Sequence, residues 1–222
     1  DVLHYIDQDM TSEEGAFFSA EDADSEGVEG KFYVWSKEEV ESILGRQTSS
    51  IVIPFFNITK EGNFEHKNIL NQTRTYQELA KELGLTEDTV IAELSSAREK
   101  LLQERSKRIR PLLDDKVLTS WNGLMISAMA KTGRVLEDTN RIAKAEKAMK
   151  FILSTLKTPE GKLLRRFRGG ESRYDGYLFD YSSIAVACLE LYEATYDTKY
   201  ILEAKGLMQT VEEKFASDGA YY

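Results

Sequence analysis

A short pattern recurs along the chain: an acidic residue, then glycine, then large apolar or aromatic residues. It reads Glu14-Gly15-Ala16-Phe17-Phe18, Glu61-Gly62-Asn63-Phe64, Glu160-Gly161-Lys162-Leu163-Leu164 and Asp218-Gly219-Ala220-Tyr221-Tyr222. The glycines stand at 15, 62, 161 and 219, so the middle interval is about twice the others, as if one unit lacks the signature. An acid–glycine pair makes a turn, and the residues after it suit a short strand. Between the signatures the apolar spacing is helical. Ile142, Ala145, Ala148, Met149, Ile152 and Leu156 share one stripe over 141–156. Ile184, Ala187, Cys188, Leu191 and Tyr192 do so over 183–196, and Leu202, Leu207, Val211 and Phe215 over 200–215. Two helices and a turn per unit predict an all-α chain of helical hairpins, with extended turns gathered at one rim of an α/α toroid.

Other helices are legible from their ends and faces. Ser36 with Glu39 is a capping box that opens a helix ending near Gly45. A longer, heavily charged helix over 86–107 must show one face to solvent. The stretch 120–136 is nearly apolar at its start (Trp121, Leu124, Met125, Ile126, Met129), which predicts an inner helix buried on more than one face. The opening DVLHYIDQDM reads as the tail of an amphipathic helix and carries no initiator Met. The last residues stop inside the fourth signature. Both ends predict a piece of a longer protein, read as a single toroid fragment over 1–222.

Composition narrows the function. The 222 residues carry 38 acidic and 29 basic side chains, a formal charge of −9, which repels phosphate backbones and excludes nucleic acid as the expected partner. No apolar run reaches the roughly 20 residues of a membrane span. Cys188 is the only cysteine and lies in an apolar run, so it reads as a buried structural thiol. It permits a reducing compartment, and cytoplasmic placement is the expectation. No Cys/His metal pattern is present, and no metal or cofactor is expected. No phosphate loop, HExxH helix or serine triad order appears, and His4 and His66 fall in a helix and a polar loop.

Three stretches carry groups able to do chemistry. In the first, 19–35, Glu21, Asp22, Asp24, Glu26 and Glu29 crowd one loop ahead of Trp35. Asp22-x-Asp24-x-Glu26-Gly27 opens like a calcium loop, but the position that needs glutamate holds Tyr33. Crowded carboxylates can raise one another's pKa and yield a general acid, and Trp35 could stack on a sugar; a solvated acidic loop with Trp35 in the core is the alternative. In the second, Asp114, Asp115 and Lys116 precede a helix that Thr119 or Ser120 would cap, with Trp121 and Asn122 in its first turn. Hydrogen-bonding groups beside an aromatic wall suit a polyol; an ordinary cap with a buried Trp is the alternative. In the third, Arg165, Arg166 and Arg168 face the run Asp175 to Tyr181. Arg166 with Asp180 would be a buried salt bridge joining two rim segments, or Arg166 would bind a carboxylate or phosphate.

The segments SAEDADSEGVEGKFYVW, GNFEHKNIL, DDKVLTSWNGLMISA and LYEATYD, in that order, resemble the thioredoxin-domain-containing, spermatogenesis-associated protein family, whose bacterial members are called YyaL-like. The resemblance runs from the first residues to the last. It implies a six-hairpin α/α toroid similar to those of glycoside hydrolases and sugar 2-epimerases, of which this chain is an incomplete part. It also implies an N-terminal thioredoxin-like domain that these residues lack. It carries over no catalytic role, and it places Glu21, Asp22, Asp24, Trp35, Asn68, Asp114, Asp115, Lys116, Trp121 and Asn122 at motif positions. The chain departs from the family at Ala16, where a second glycine is usual, at His66, where glycine is usual, and at Phe179, where an acid is expected beside Asp180.

Two functions follow as expectations. One is a carbohydrate-active toroid that binds or hydrolyses a sugar, with Asp22 or Asp24 opposed by Asp114 or Asp115 and with Trp35 and Trp121 as platforms. Glu21, Asn68, Lys116, Asn122, Arg166 and Asp180 would then contact substrate. The other is a non-catalytic interaction module that serves a thioredoxin-like domain in redox or protein quality control, with the rim motifs as structural locks.

Overall fold

A computed structural model describes residues 2–221. Its helices are α1 (Val2–Asp9), α2 (Lys37–Phe55), α3 (Tyr76–Leu83), α4 (Glu87–Arg105), α5 (Thr119–Val135), α6 (Thr139–Thr155), α7 (Leu178–Thr195) and α8 (Lys199–Phe215). Among the described residues the strands are short and form only small sheets, none of them closed. Among the described residues no helix is long and apolar enough to cross a membrane. Contacts cluster into two compact units. An insert unit runs Glu21–Leu112, and a flanking unit holds the residues up to Ala20 and from Leu113 onward.

In the flanking unit the hairpins are α5/α6 and α7/α8, and α5 also packs along α7. This is the side-by-side order of consecutive hairpins in an α/α toroid, with α5 and α7 as the inner pair. Glycine sets how close they come: a Cβ built on Gly123 would lie 2.7 Å from the backbone carbon of Ser183. Ala145, Ala148, Met149 and Ile152 of α6 are buried in one core with Ile184, Ala187, Cys188 and Leu191 of α7 and Ala204, Leu207 and Val211 of α8. The α6 and α7 residues belong to the stripes visible in the sequence; on α8 Leu207 and Val211 do, but the expected Leu202 is 69% exposed, and Tyr200 and Ala204 are buried instead. Each large aliphatic in this core contributes roughly 1.5–3 kcal/mol by burial. Helix α7 starts at Leu178, five residues before its stripe begins, because Asp180 caps it from inside its first turn.

The insert unit packs α2, α3 and α4 around Trp35, Val40, Leu44, Val52, Phe55, Leu79 and Leu94. The Ser36/Glu39 capping box forms as expected. Gly45 breaks the helix at φ 73°, ψ 168°, a conformation open only to glycine, and a further helical stretch then runs on to Phe55. Helix α4 buries only Val90, Leu94, Ala97 and Leu101, so its charged remainder faces water.

All four signature glycines have positive φ. In the first, the Gly15 amide donates to the Ser12 carbonyl at 2.9 Å and Ser12 N–H to the Ala16 carbonyl at 2.8 Å. The third repeats these bonds at 2.9 and 2.8 Å with Gly161, Thr158 and Lys162. In the second, the Gly62 amide donates to the Thr59 hydroxyl at 3.0 Å. Three of the four signatures are therefore Ser/Thr-x-Glu-Gly-x turns closed by a glycine at positive φ; the fourth has Ala216 in place of the hydroxyl residue, and Asp218 shares the positive φ of Gly219. The hydroxyl residue three positions before the glycine is the part of the repeat that reading by acid and glycine alone overlooks.

Candidate functional site

The inner helix ends gather most of the candidates in the flanking unit. Asp180 is fully buried. Its carboxylate accepts from the Ser120 amide at 3.0 Å and the Tyr177 amide at 2.9 Å, so one side chain caps both α5 and α7. The expectation that Thr119 or Ser120 caps α5 is therefore corrected. Leu118 holds the cap position with no side-chain bond, and the Thr119 hydroxyl donates to the Leu164 carbonyl instead. The expected Arg166–Asp180 bridge is corrected too. Arg165 stands 3.6 Å from Asp180 and lies 4.5 Å over the Tyr177 ring, while Arg166 lies 5.3 Å over Tyr174. Successive side chains of the strand Leu164–Arg168 point to opposite faces, so only one of two neighbouring arginines can reach Asp180.

Asn122 is equally buried. Its amide carbonyl accepts from the Phe17 amide at 2.8 Å, and its NH2 donates to the Phe17 and Leu118 carbonyls at 2.9 and 3.0 Å. Asp114 pairs with Lys116 at 2.9 Å, and Asp115 with Arg168 at 2.5 Å. Trp121 is 52% exposed.

In the insert unit, Trp35 is buried, with the Arg108 guanidinium 3.9 Å over its ring. Asn68 is 1% exposed; it accepts from the Thr59 amide at 2.9 Å and donates to the Trp35 and Thr59 carbonyls at 3.1 and 3.0 Å. Glu21 pairs with Arg110 at 2.7 Å and accepts from the Tyr33 hydroxyl at 2.8 Å. Asp22 accepts from the Asp24 amide at 3.2 Å. The acidic loop is a hairpin, Asp24–Ser25 against Val28–Glu29, turned at Glu26 and Gly27 with positive φ at both. Its calcium-like opening is thus spent on a turn. Among the described residues no group of carboxylates, His or Cys is placed to hold a metal ion.

The electrostatics oppose acid catalysis at Asp114. Burial raises its pKa, but hydrogen bonds from Lys116 and Ser19, with the Lys116 charge, outweigh it and hold the carboxyl below the usual range. At Glu39 burial also raises the pKa, and Ser36 and Lys67 reverse it in the same way. Folded values below the unfolded ones, about 3.9 for Asp and 4.3 for Glu, mean stability that is present above pH ~4 and lost as pH falls through the folded values. The urea midpoint should therefore hold steady from pH 6 to pH 5 and drop by pH 3. An equal midpoint at pH 3 would contradict these assignments. Cys188 is pushed up to about 12, first by burial and then by the Glu203 charge, so it is a packing residue rather than a nucleophile.

The expectation that the start of α5 is buried on more than one face is corrected: Trp121 and Leu124 are each 52% exposed. Trp121, Leu124, Ala128 and Val135 form an exposed stripe on α5, and Phe179, Val186 and Leu189 a matching one on α7. The Ser120–Asp180 bond and the Gly123–Ser183 approach bring the stripes side by side. The signal was available: α5 and α7 carry more apolar residues than one buried face can use.

No family model matches the chain. Human spermatogenesis-associated protein 20 is 30% identical over 257 residues, which cover 100% of this chain and 33% of that protein. The mouse protein of the same name is 29% identical, over 96% of this chain and 31% of its own length. The chain thus spans about a third of the relatives it matches. Among solved structures it is similar to cellobiose 2-epimerase from Bacillus thermoamylovorans, with TM-score 0.46 and 12% identity over 97% of this chain and 54% of that one. A GH76 α-mannanase from Bacteroides thetaiotaomicron gives TM-score 0.45 and 15% identity over 57% and 39%. Along its whole length the chain is homologous to one segment of spermatogenesis-associated protein 20.

Proposed function

We propose that this chain is a non-catalytic interaction module, and that the apolar stripes of α5 and α7 are its binding surface. The observation that carries this reading is a division of labour among the motif residues. Asp180 and Asn122 are consumed by caps and backbone bonds, and Asp114 and Asp115 are each paired with a cation. Side by side with them, Trp121, Leu124, Phe179, Val186 and Leu189 stay open to solvent. A contiguous exposed apolar patch marks a protein interaction site. The partner is a thioredoxin-like domain of the kind the family resemblance implies, so the module would hold that domain or its clients. The test is titration calorimetry with the isolated thioredoxin-like domain of a family member. Phe179→Ser with Val186→Lys should weaken binding at least about tenfold, a loss of ~1.4 kcal/mol, with the melting temperature kept because both residues are exposed. Unchanged affinity in that variant contradicts the surface.

A sugar site is the second reading, favoured by one observation: Trp121 is half exposed, and the Ser120–Asp180 bond sets it beside the exposed Phe179. Two open aromatic faces suit a pyranose ring. Under this reading the chain binds a glycan without hydrolysing it, since the nearby acids are committed elsewhere.

A further inference from the structure

The insert unit holds a cavity of about 590 Å³ that neither reading uses. Its walls come from the hairpin at 24–29, the residues that follow to Val34, Glu39 of α2, the turn at Phe64 to Lys67 and the segment 107–109 that follows α4. Val28, Phe32, Val34, Phe64 and Ile109 make it mainly apolar. Val28 and Ile109 are 48% and 61% exposed, so this apolar surface is open to an incoming ligand.

The charges around it are unequal in availability. Every cation on the lining has a partner. Lys31 pairs with Glu26 at 2.7 Å, Lys67 with Glu39 at 3.3 Å, and Lys107 with Glu104 at 2.6 Å. Arg108 stands 3.5 Å from Glu39 and donates to the Phe32 and Val34 carbonyls at 2.9 and 2.8 Å. Among the described residues the lining carboxylates Glu29 and Glu65 have no hydrogen-bond or ion-pair partner. Glu29 also stands directly across the hairpin from Asp24, a like-charge pair that costs stability unless a cation joins it. An anion would have to displace existing pairs; a cation would meet free carboxylates and relieve that repulsion.

We propose that this cavity binds a small organic cation, an amine or guanidinium on an apolar or aromatic body, with the body against Phe64 and the charge between Glu29 and Glu65. Glu65 and His66 lie at positive φ in the tight turn from Phe64 to Lys67, which holds the Phe64 ring and the Glu65 carboxylate on one short rigid element. The site shares no residue with the α5/α7 face, so the failure of either proposal leaves the other standing.

The probes are tryptamine and indole-3-propionate, which share a ring and differ in the sign of their charge. Each is titrated into the 222-residue chain while amide chemical shifts are followed by NMR. Tryptamine should shift amides of residues 25–34, 64–67 and 107–109, and indole-3-propionate should not. Glu29→Gln with Glu65→Gln, both at exposed positions, should weaken tryptamine at least about tenfold, and Phe64→Ala should weaken it as well. Preference for the carboxylate, equal tryptamine affinity in the Glu29/Glu65 variant, or no shifts with either probe would overturn the proposal.

Discussion

Replacing Asp180 with alanine should lower the free energy of unfolding by about 3 kcal/mol, among the largest single-residue effects in the chain. Two helix N-termini depend on this one carboxylate, through the Ser120 and Tyr177 amides, and its exposure is 0%. The buried Ser120 amide is left without an acceptor when the carboxylate is gone, the Tyr177 amide loses its cap, and Arg165 loses its counter-ion as well. Asp180→Asn should fall between wild type and alanine, because its single carbonyl oxygen can serve one amide and its NH2 confronts the other. Urea titration of the three proteins checks this. A loss below ~1 kcal/mol for alanine would show that the two amides find other acceptors, and the cap assignment would fall.

Asn122→Ala is expected to cost about 2–4 kcal/mol. The amide bonds both the N–H and the carbonyl of Phe17, 105 residues away in sequence, and ties the Leu118 carbonyl as well. Its loss frees the strand-like turn after Gly15 from the start of α5. Asn122→Asp should also be destabilising, since a carboxylate can accept from Phe17 N–H but cannot donate to two carbonyls. The diagnostic readout is paired: the melting temperature falls, while affinity for the α5/α7 partner, measured well below that temperature, stays near wild type. A variant that keeps its stability and loses binding would mean that Asn122 contacts ligand.

Much of this was legible before any coordinates. The helical stripes of α6 and α7 show in spacing alone because each buries one face against a continuous core, whereas on α8 spacing picks Leu202, which is exposed, over Ala204, which is buried. The acid–glycine turns show because left-handed backbone selects glycine. Helix α3 carried a capping box in Thr75 and Glu78 and a terminal Gly84, and could have been found by its ends. What sequence could not supply was long-range. The cap of α5 lies 60 residues away, and spacing cannot say whether Arg165 or Arg166 faces Asp180. Trp35 and Trp121 read alike in the sequence, yet one is covered by Arg108 and the other is open. The carboxylates read as reactive because their number is visible in a sequence and their partners are not.

The emission of Trp121 tests the account most directly, because the other tryptophan, Trp35, is buried under Arg108. The difference between wild type and Trp121→Phe isolates it. The thioredoxin-like domain of a family member should shift that signal to the blue and shield it from acrylamide, while a mixture of small oligosaccharides leaves it unchanged. A signal that moves with the sugars and ignores the domain would contradict the interaction module and establish the rim of α5 and α7 as a carbohydrate site.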